Sequence, residues 1–239
     1  GNHSLKDVLQ RTTQSSVNGL DSGATSGVIT SRAAAEAFFV AGTNRAMFRF
    51  TMVNHFCRDM EELRDERLSP DRIRQDVSRS PGGDSRLFLN NCVGCHTGMD
   101  PMAQAYAYYN YNIDAGSIEH TAGSVQPKYF NNDANFPQGF RTPDNSWTNY
   151  WRAGQNRYLG FYGPDNGEGI GAKSLGRELA YSEAFSACQV KKVFKAVCLR
   201  EPETATDHQM FDQIVTNFEA SGFRMKKVFA DTAQYCMGQ

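Results

Sequence analysis

The sequence predicts a mainly α-helical protein with an irregular middle. Three observations carry this. The last third holds three apolar stripes at helical spacing, the first hundred residues hold shorter stretches of the same kind, and residues 105–170 lose periodicity and become dense in Tyr, Asn, Gly and Phe. At 239 residues the chain has length for one large domain or two small ones. We divide it into a lead-in segment at 1–30, a domain at 31–170 and a C-terminal three-helix unit at 171–239 packed on it.

The lead-in is rich in Ser, Thr, Gly and Asn, with one short helix expected at 5–11. An Ala- and Phe-rich helix is expected at 31–41, stopped by Gly42. Thr43 is placed to cap a second helix over 44–64, with Met47, Phe50, Thr51 and Asn54 on one stripe. The run from Asp59 to Arg67 reads as a solvated charged end. Ser69-Pro70-Asp71 opens a short helix to about residue 78, Pro81-Gly82-Gly83-Asp84 is a turn, and 85–95 is expected to be helical.

Turn signals recur through 105–170, as at Asp114-Ala115-Gly116 and Gly163-Pro164-Asp165-Asn166-Gly167. A loop region this long inside a compact protein is usually functional, and here it could wrap a large flat ligand. Trp147 and Trp151 stand four apart, so a short helix would place both on one face. In the tail, Val190, Val193, Phe194, Val197 and Cys198 form one stripe. Met210, Phe211, Ile214, Val215 and Phe218 form the next, after a Thr204–Asp207 capping box, and Met225, Val228, Phe229, Thr232 and Cys236 form the last. Short connections make the unit up-down-up.

The net charge of −1 gives no general pull toward nucleic acid, and no run approaches the roughly 20 apolar residues of a membrane helix. The first six residues lack the apolar core of a signal peptide, so an export signal or anchor is expected to lie outside this sequence.

Two of the six cysteines fall in Cys92-Val93-Gly94-Cys95-His96. Cys-x-x-Cys-His is the attachment motif of a c-type haem: Cys92 and Cys95 add to the vinyl groups as thioethers and His96 becomes the proximal iron ligand. A thiol redox pair and half of a zinc site are the other readings of Cys-x-x-Cys. Cys57, Cys188, Cys198 and Cys236 remain, an even number that suits disulfides in an oxidising compartment. Cys188 and Cys198 are ten residues apart on one helix, roughly 15 Å by helical rise, too far to pair with each other. The first and third tail helices run the same way, which pairs Cys198 with Cys236 and leaves Cys57 for Cys188.

The run from Asn91 through Cys92, Cys95 and His96 to Met99-Asp100-Pro101, followed by Ala105-Tyr106-Ala107-Tyr108-Tyr109, resembles a known block. It is similar to the CxxCH…(M/I)DP block of bacterial proteins of planctomycetes and some proteobacteria, whose haem domains have no assigned function. Tyr181-Ser182-Glu183-Ala184-Phe185, Cys188 and Leu199-Arg200-Glu201-Pro202 resemble their helical companion domain, and Asn44-Arg45-Ala46 with Cys57 resembles the entry to the haem domain. The resemblance covers roughly residues 43–237, weakly through 110–170. It implies a cytochrome c-like haem domain with one covalent haem c, in a periplasmic or cell-surface protein. Pro101 is read either as part of a simple turn or as supplying a backbone carbonyl to the other nitrogen of His96.

The opposite side of the haem decides between functions. In the wrapping segment His120 is the sole histidine, and Lys128 is a second distal candidate. Against His120 stands its reading as a surface histidine beside Glu119. Met210 and Met225 fit core stripes, and Met52 and His55 are upstream options. A closed six-coordinate iron means one-electron transfer with a redox partner protein or enzyme. An open site means peroxidase-like chemistry. A third reading is a haem-bearing binding or assembly module, whose aromatic segment (Tyr106, Tyr108, Tyr109, Tyr111, Trp147, Tyr150, Trp151, Phe161, Tyr162) could meet carbohydrate or a surface complex. The plainer reading of those rings is packing.

Overall fold

The computed structural model describes residues 4–40, 42–73, 85–129 and 140–237. The chain is mainly helical, with few short strands. Short helices α1 (Leu5–Val8) and α2 (Gln14–Asn18) lead in, α2 being capped by the Thr13 side chain and ended by Gly19 in the left-handed region. Helix α3 (Arg32–Phe38) is capped by Ser31, and α4 (Arg45–Thr51) follows.

The helix expected over 44–64 is shorter than its apolar stripe. It widens into a π-turn at Met52–Phe56 and stops at Cys57, which has φ 53°. The cause is local and covalent. Cys57 is bonded to Cys188, and Asp59 caps a fresh turn at Met60–Leu63 through a capping box with Glu62. Arg49 grips Asp59 with two hydrogen bonds of 2.8 and 2.6 Å, folding the chain back on α4. The expected helix from residue 69 is a turn through Ile73 where described, and the rest of it lies outside the described residues.

The helix expected over 85–95 is two helices, α5 (Ser85–Asn91) and α6 (Val93–Ala103), divided at Cys92. The irregular segment then forms two small two-stranded antiparallel sheets. Strand β1 (Tyr109–Asn112) pairs with β2 (Ser117–His120), setting Tyr109 opposite His120, and β3 (Ser146–Thr148) pairs with β4 (Glu168–Ile170). Trp147 is therefore on a strand and Trp151 on a 3₁₀ turn at Tyr150–Arg152, not on one helix. Asn149 makes the difference: its side chain accepts from the backbone N–H of Trp151 at 2.9 Å and starts the turn there.

Both indoles are buried in the main core with Phe39, Phe48, Met52, Tyr106, Tyr109 and Leu175. Leu20, Ala24 and Ile29 of the first thirty residues join this core, as do Ala172, Leu175 and Leu179 of α7 (Gly171–Ala180). Helices α8 (Glu183–Cys198), α9 (Ala205–Ala220) and α10 (Met225–Met237) enclose a second core of Val190, Val193, Ile214, Phe218 and Val228. The Thr204–Asp207 capping box is formed. Buried Asp207 also accepts from Arg200 at 2.7 and 2.8 Å and from the Tyr235 hydroxyl at 2.8 Å, fixing the α8–α9 connection against α10.

Both expected disulfides are present. Cys198–Cys236 joins the ends of α8 and α10 with a Cα separation of 5.5 Å, and Cys57–Cys188 ties α8 to the main body at 5.4 Å. Among the described residues no helix is long and apolar enough to cross a membrane.

Candidate functional site

Helix α6 has two unlike faces, and their sequences explain why. Gly94, Thr97 and Gly98 face inward. A Cβ at Gly98 would lie 2.2 Å from Nε1 of Trp151, so the indole rests directly on helix backbone. Asp65 donates its backbone N–H to the Gly94 carbonyl at 2.9 Å, and the Thr97 hydroxyl donates back to the Asp65 carbonyl at 2.8 Å. Asp65 is thus a buried support of this helix, whereas the sequence reading placed it in a solvated charged run. Its carboxylate is held by the Arg67 guanidinium at 3.0 Å, which keeps its pKa low.

The outward face carries the motif. Cys92 is the N-cap, and the N–H groups of Cys95 and His96 both donate to the Cys92 carbonyl at 3.2 Å. Positions i, i+3 and i+4 share one side of the helix, which brings both thiols and the imidazole near one another, each partly buried, with Cys95 packed on the main core and its thiol 3.5 Å from the Met60 carbonyl. Cys92 and Cys95 are free thiols, while the other four cysteines are paired. Buried Phe88 of α5 sits against His96 with ring centroids 5.5 Å apart, and its neighbours Leu87 and Leu89 are exposed.

His96 is oriented from behind. Its Nδ1 lies 3.1 and 3.0 Å from the two oxygens of Asp100, one turn further along α6. Asp100 in turn receives two hydrogen bonds from Arg45 of α4, at 2.7 and 3.0 Å. Burial works to raise the Asp100 pKa, but the charge of Arg45 and the contact with His96 overcome it and hold the carboxyl down to about 2. A carboxylate can only accept, so Asp100 engages Nδ1 and leaves Nε2 as the nitrogen open to a metal. Asp100 and Pro101 lie inside the helix, so neither a simple turn nor a backbone carbonyl serves His96; a carboxylate does. Asp100 was detectable as an acid four residues past a histidine in a helical stretch; Arg45, distant in sequence, was not. Behind Asp100 a polar cavity of about 20 Å³ is lined by Thr43, Arg72 and Tyr129. Among the described residues the Thr43 hydroxyl and Arg72 Nη1 are buried without a hydrogen-bond partner there, which suits one bound water.

Two thiols and an imidazole are the donors a covalent haem would take from the chain. Burial, then the charge of Glu61, pushes the Cys95 thiol pKa up, which disfavours the thiolate a redox dithiol needs. Among the described residues no group of three or more His, Cys, Asp or Glu converges to hold a metal ion. A porphyrin brings four nitrogens of its own and asks the chain for one or two axial donors. Two thiols and an imidazole on one half-exposed face, beside exposed leucines, match that requirement.

The two distal candidates lie elsewhere in the irregular segment. His120, on β2, rests on Tyr109 at 4.7 Å and Tyr108 at 5.8 Å, and burial lowers its pKa. Lys128 directs its ammonium to the Phe39 carbonyl at 2.6 Å, Asn44 Oδ1 at 2.7 Å and Asn110 Oδ1 at 3.1 Å. Burial lowers its pKa to about 8. Met52 is wholly core, and His55 lies on the π-turn against Phe50. Of the aromatics, Tyr106, Tyr109, Tyr111, Trp147 and Trp151 are buried, so packing occupies them, while Tyr162 is exposed. No protein-family model, curated protein or solved structure matches the chain.

Proposed function

We propose that this chain carries one haem c, attached through Cys92 and Cys95 and ligated by His96, and serves as a one-electron carrier outside the cytoplasm. The observation that carries the reading is the shared helix face of Cys92, Cys95 and His96, with His96 Nδ1 held by Asp100. The two disulfides support an oxidising compartment. The resemblance of Asn91–Pro101 to bacterial haem-domain sequences supports the same reading. When bound, the haem would supply the reversible ferric–ferrous couple.

The chain's own residues define what surrounds that couple. Asp100 draws on the imidazole proton and makes His96 a more basic donor, which favours the oxidised state. Arg45 tempers this by neutralising the carboxylate. Phe88 packs against the imidazole and shields part of it from water. A redox partner protein would approach the half-exposed motif face.

A second reading, a peroxidase-like enzyme, gains from the same Asp100 contact, because a carboxylate behind the proximal ligand also favours oxidised iron. The test is expression with a cytochrome c maturation system, followed by haem staining of a denaturing gel and optical spectroscopy. A stained band with a low-spin spectrum supports the carrier. A high-spin ferric spectrum that responds to cyanide or peroxide supports the enzyme. An unstained band removes the haem reading altogether.

A further inference from the structure

A second site lies away from the motif helix, where α4 and its π-turn, α7 and the three-helix unit meet. It is a cavity of about 450 Å³, within the range of small-molecule pockets. Its walls are mostly apolar, and Phe56, Phe185, Phe218 and Phe223 supply aromatic surface from four different parts of the chain. Such walls favour rings over flexible chains.

The polar groups narrow the ligand further. Lys173 gives its ammonium to the Ser22 carbonyl at 2.9 Å, and Arg177 is committed to Asp165 through an Nε contact of 2.7 Å. Both cations thus already have a protein oxygen as partner. His55 differs: among the described residues its ring nitrogens have no hydrogen-bond partner, and it lines the cavity. Burial, then the nearby Lys192 charge, lowers its pKa and keeps the imidazole neutral at neutral pH. A neutral imidazole offers one donor and one acceptor.

We infer that this cavity binds a neutral, largely apolar ring compound whose one oxygen hydrogen-bonds His55. The inference does not depend on haem attachment. The test uses the full chain and a matched pair of probes, acetylnaphthalene and naphthoate, which share a ring system and differ in ketone against carboxylate. Isothermal titration should show saturable binding of acetylnaphthalene and at least tenfold weaker binding of naphthoate. Ala180→Phe, which fills the cavity, should abolish binding, and His55→Phe should weaken it about tenfold, the worth of one hydrogen bond. Circular dichroism checks the fold of each variant; if Ala180→Phe does not fold, Met225→Trp at the half-exposed rim takes its place. The proposal is overturned if acetylnaphthalene does not bind, if naphthoate binds as well, or if the folded variants bind like the parent.

Discussion

The Nδ1 atom of His96 stands 3.0 Å from Oδ2 of Asp100, and Asp100 is nearly shut off from solvent. The Asp100 carboxyl is held at about 2 against an ordinary 3.8, so the folded state releases its proton more readily than the unfolded chain. The resulting stabilisation is complete above the ordinary value and disappears as pH falls from about 4 through 2. Its size is about 2 kcal/mol. Urea denaturation of the parent and of Asp100→Asn across pH 2 to 6 should show a shallower slope in the variant, the remainder coming from other carboxylates held low, such as Asp59 and Asp65. In the haem-loaded protein, Asp100→Asn should also raise the midpoint potential. A potential equal to the parent's would remove Asp100 from the electronic role.

Gly98 and Gly94 both lie on the inner face of α6, yet their substitutions should differ. Alanine at 98 would drive its Cβ into the indole of Trp151, which is locked in the core, whereas alanine at 94 meets only the side chains of Glu66, at Cγ 3.1 Å away, and Arg64, at 3.3 Å. Gly98→Ala should cost about 3 kcal/mol and perturb tryptophan fluorescence; Gly94→Ala should cost less than about 1 kcal/mol. Equal melting temperatures for the two would contradict the packing.

Much of this was legible in the sequence and some was not. The tail stripes, the Thr204–Asp207 box and both disulfide pairings followed from periodicity and helix direction, which are local or nearly so. The helix over 44–64 was misjudged because its apolar stripe says nothing of the Cys57 bond or of Arg49 reaching Asp59. Trp147 and Trp151 looked helical by spacing, but one Asn149 side chain set the local turn. At the motif, Cys92, Cys95 and His96 are contiguous and readable. Arg45, Asp65 and Trp151, which hold that helix in place, come from distant segments that only the fold assembles.

Lys128 tests the two meanings of a buried amine. Its oxygen partners among the described residues make it a brace between the end of α3, Asn44 and β1. Lys128→Met should strand those acceptors and cost about 2 kcal/mol, with the haem spectrum unchanged. A switch from low to high spin in that variant would instead put the amine at the iron.

The disulfides close loops of unequal length, with sequence separations of 131 and 38 between partners. On a chain-entropy account, Cys57–Cys188 contributes about 5 kcal/mol and Cys198–Cys236 about 4 kcal/mol. Denaturation of the Cys57→Ser/Cys188→Ser and Cys198→Ser/Cys236→Ser proteins should show losses in that order. Peptide mapping under non-reducing conditions should recover these two linkages; a Cys188–Cys236 peptide would contradict them.

Cys198–Cys236 also makes residues 198–236 a closed covalent ring, and Cys57–Cys188 anchors the helix that leads into it. A single protease cut in either connection of that ring, 199–204 or 221–224, therefore opens the circle without freeing a fragment. The nicked protein should keep its full mass on a non-reducing gel and divide only when reduced. Wherever its thiols stay oxidised, the tail survives a single cut as one covalent piece.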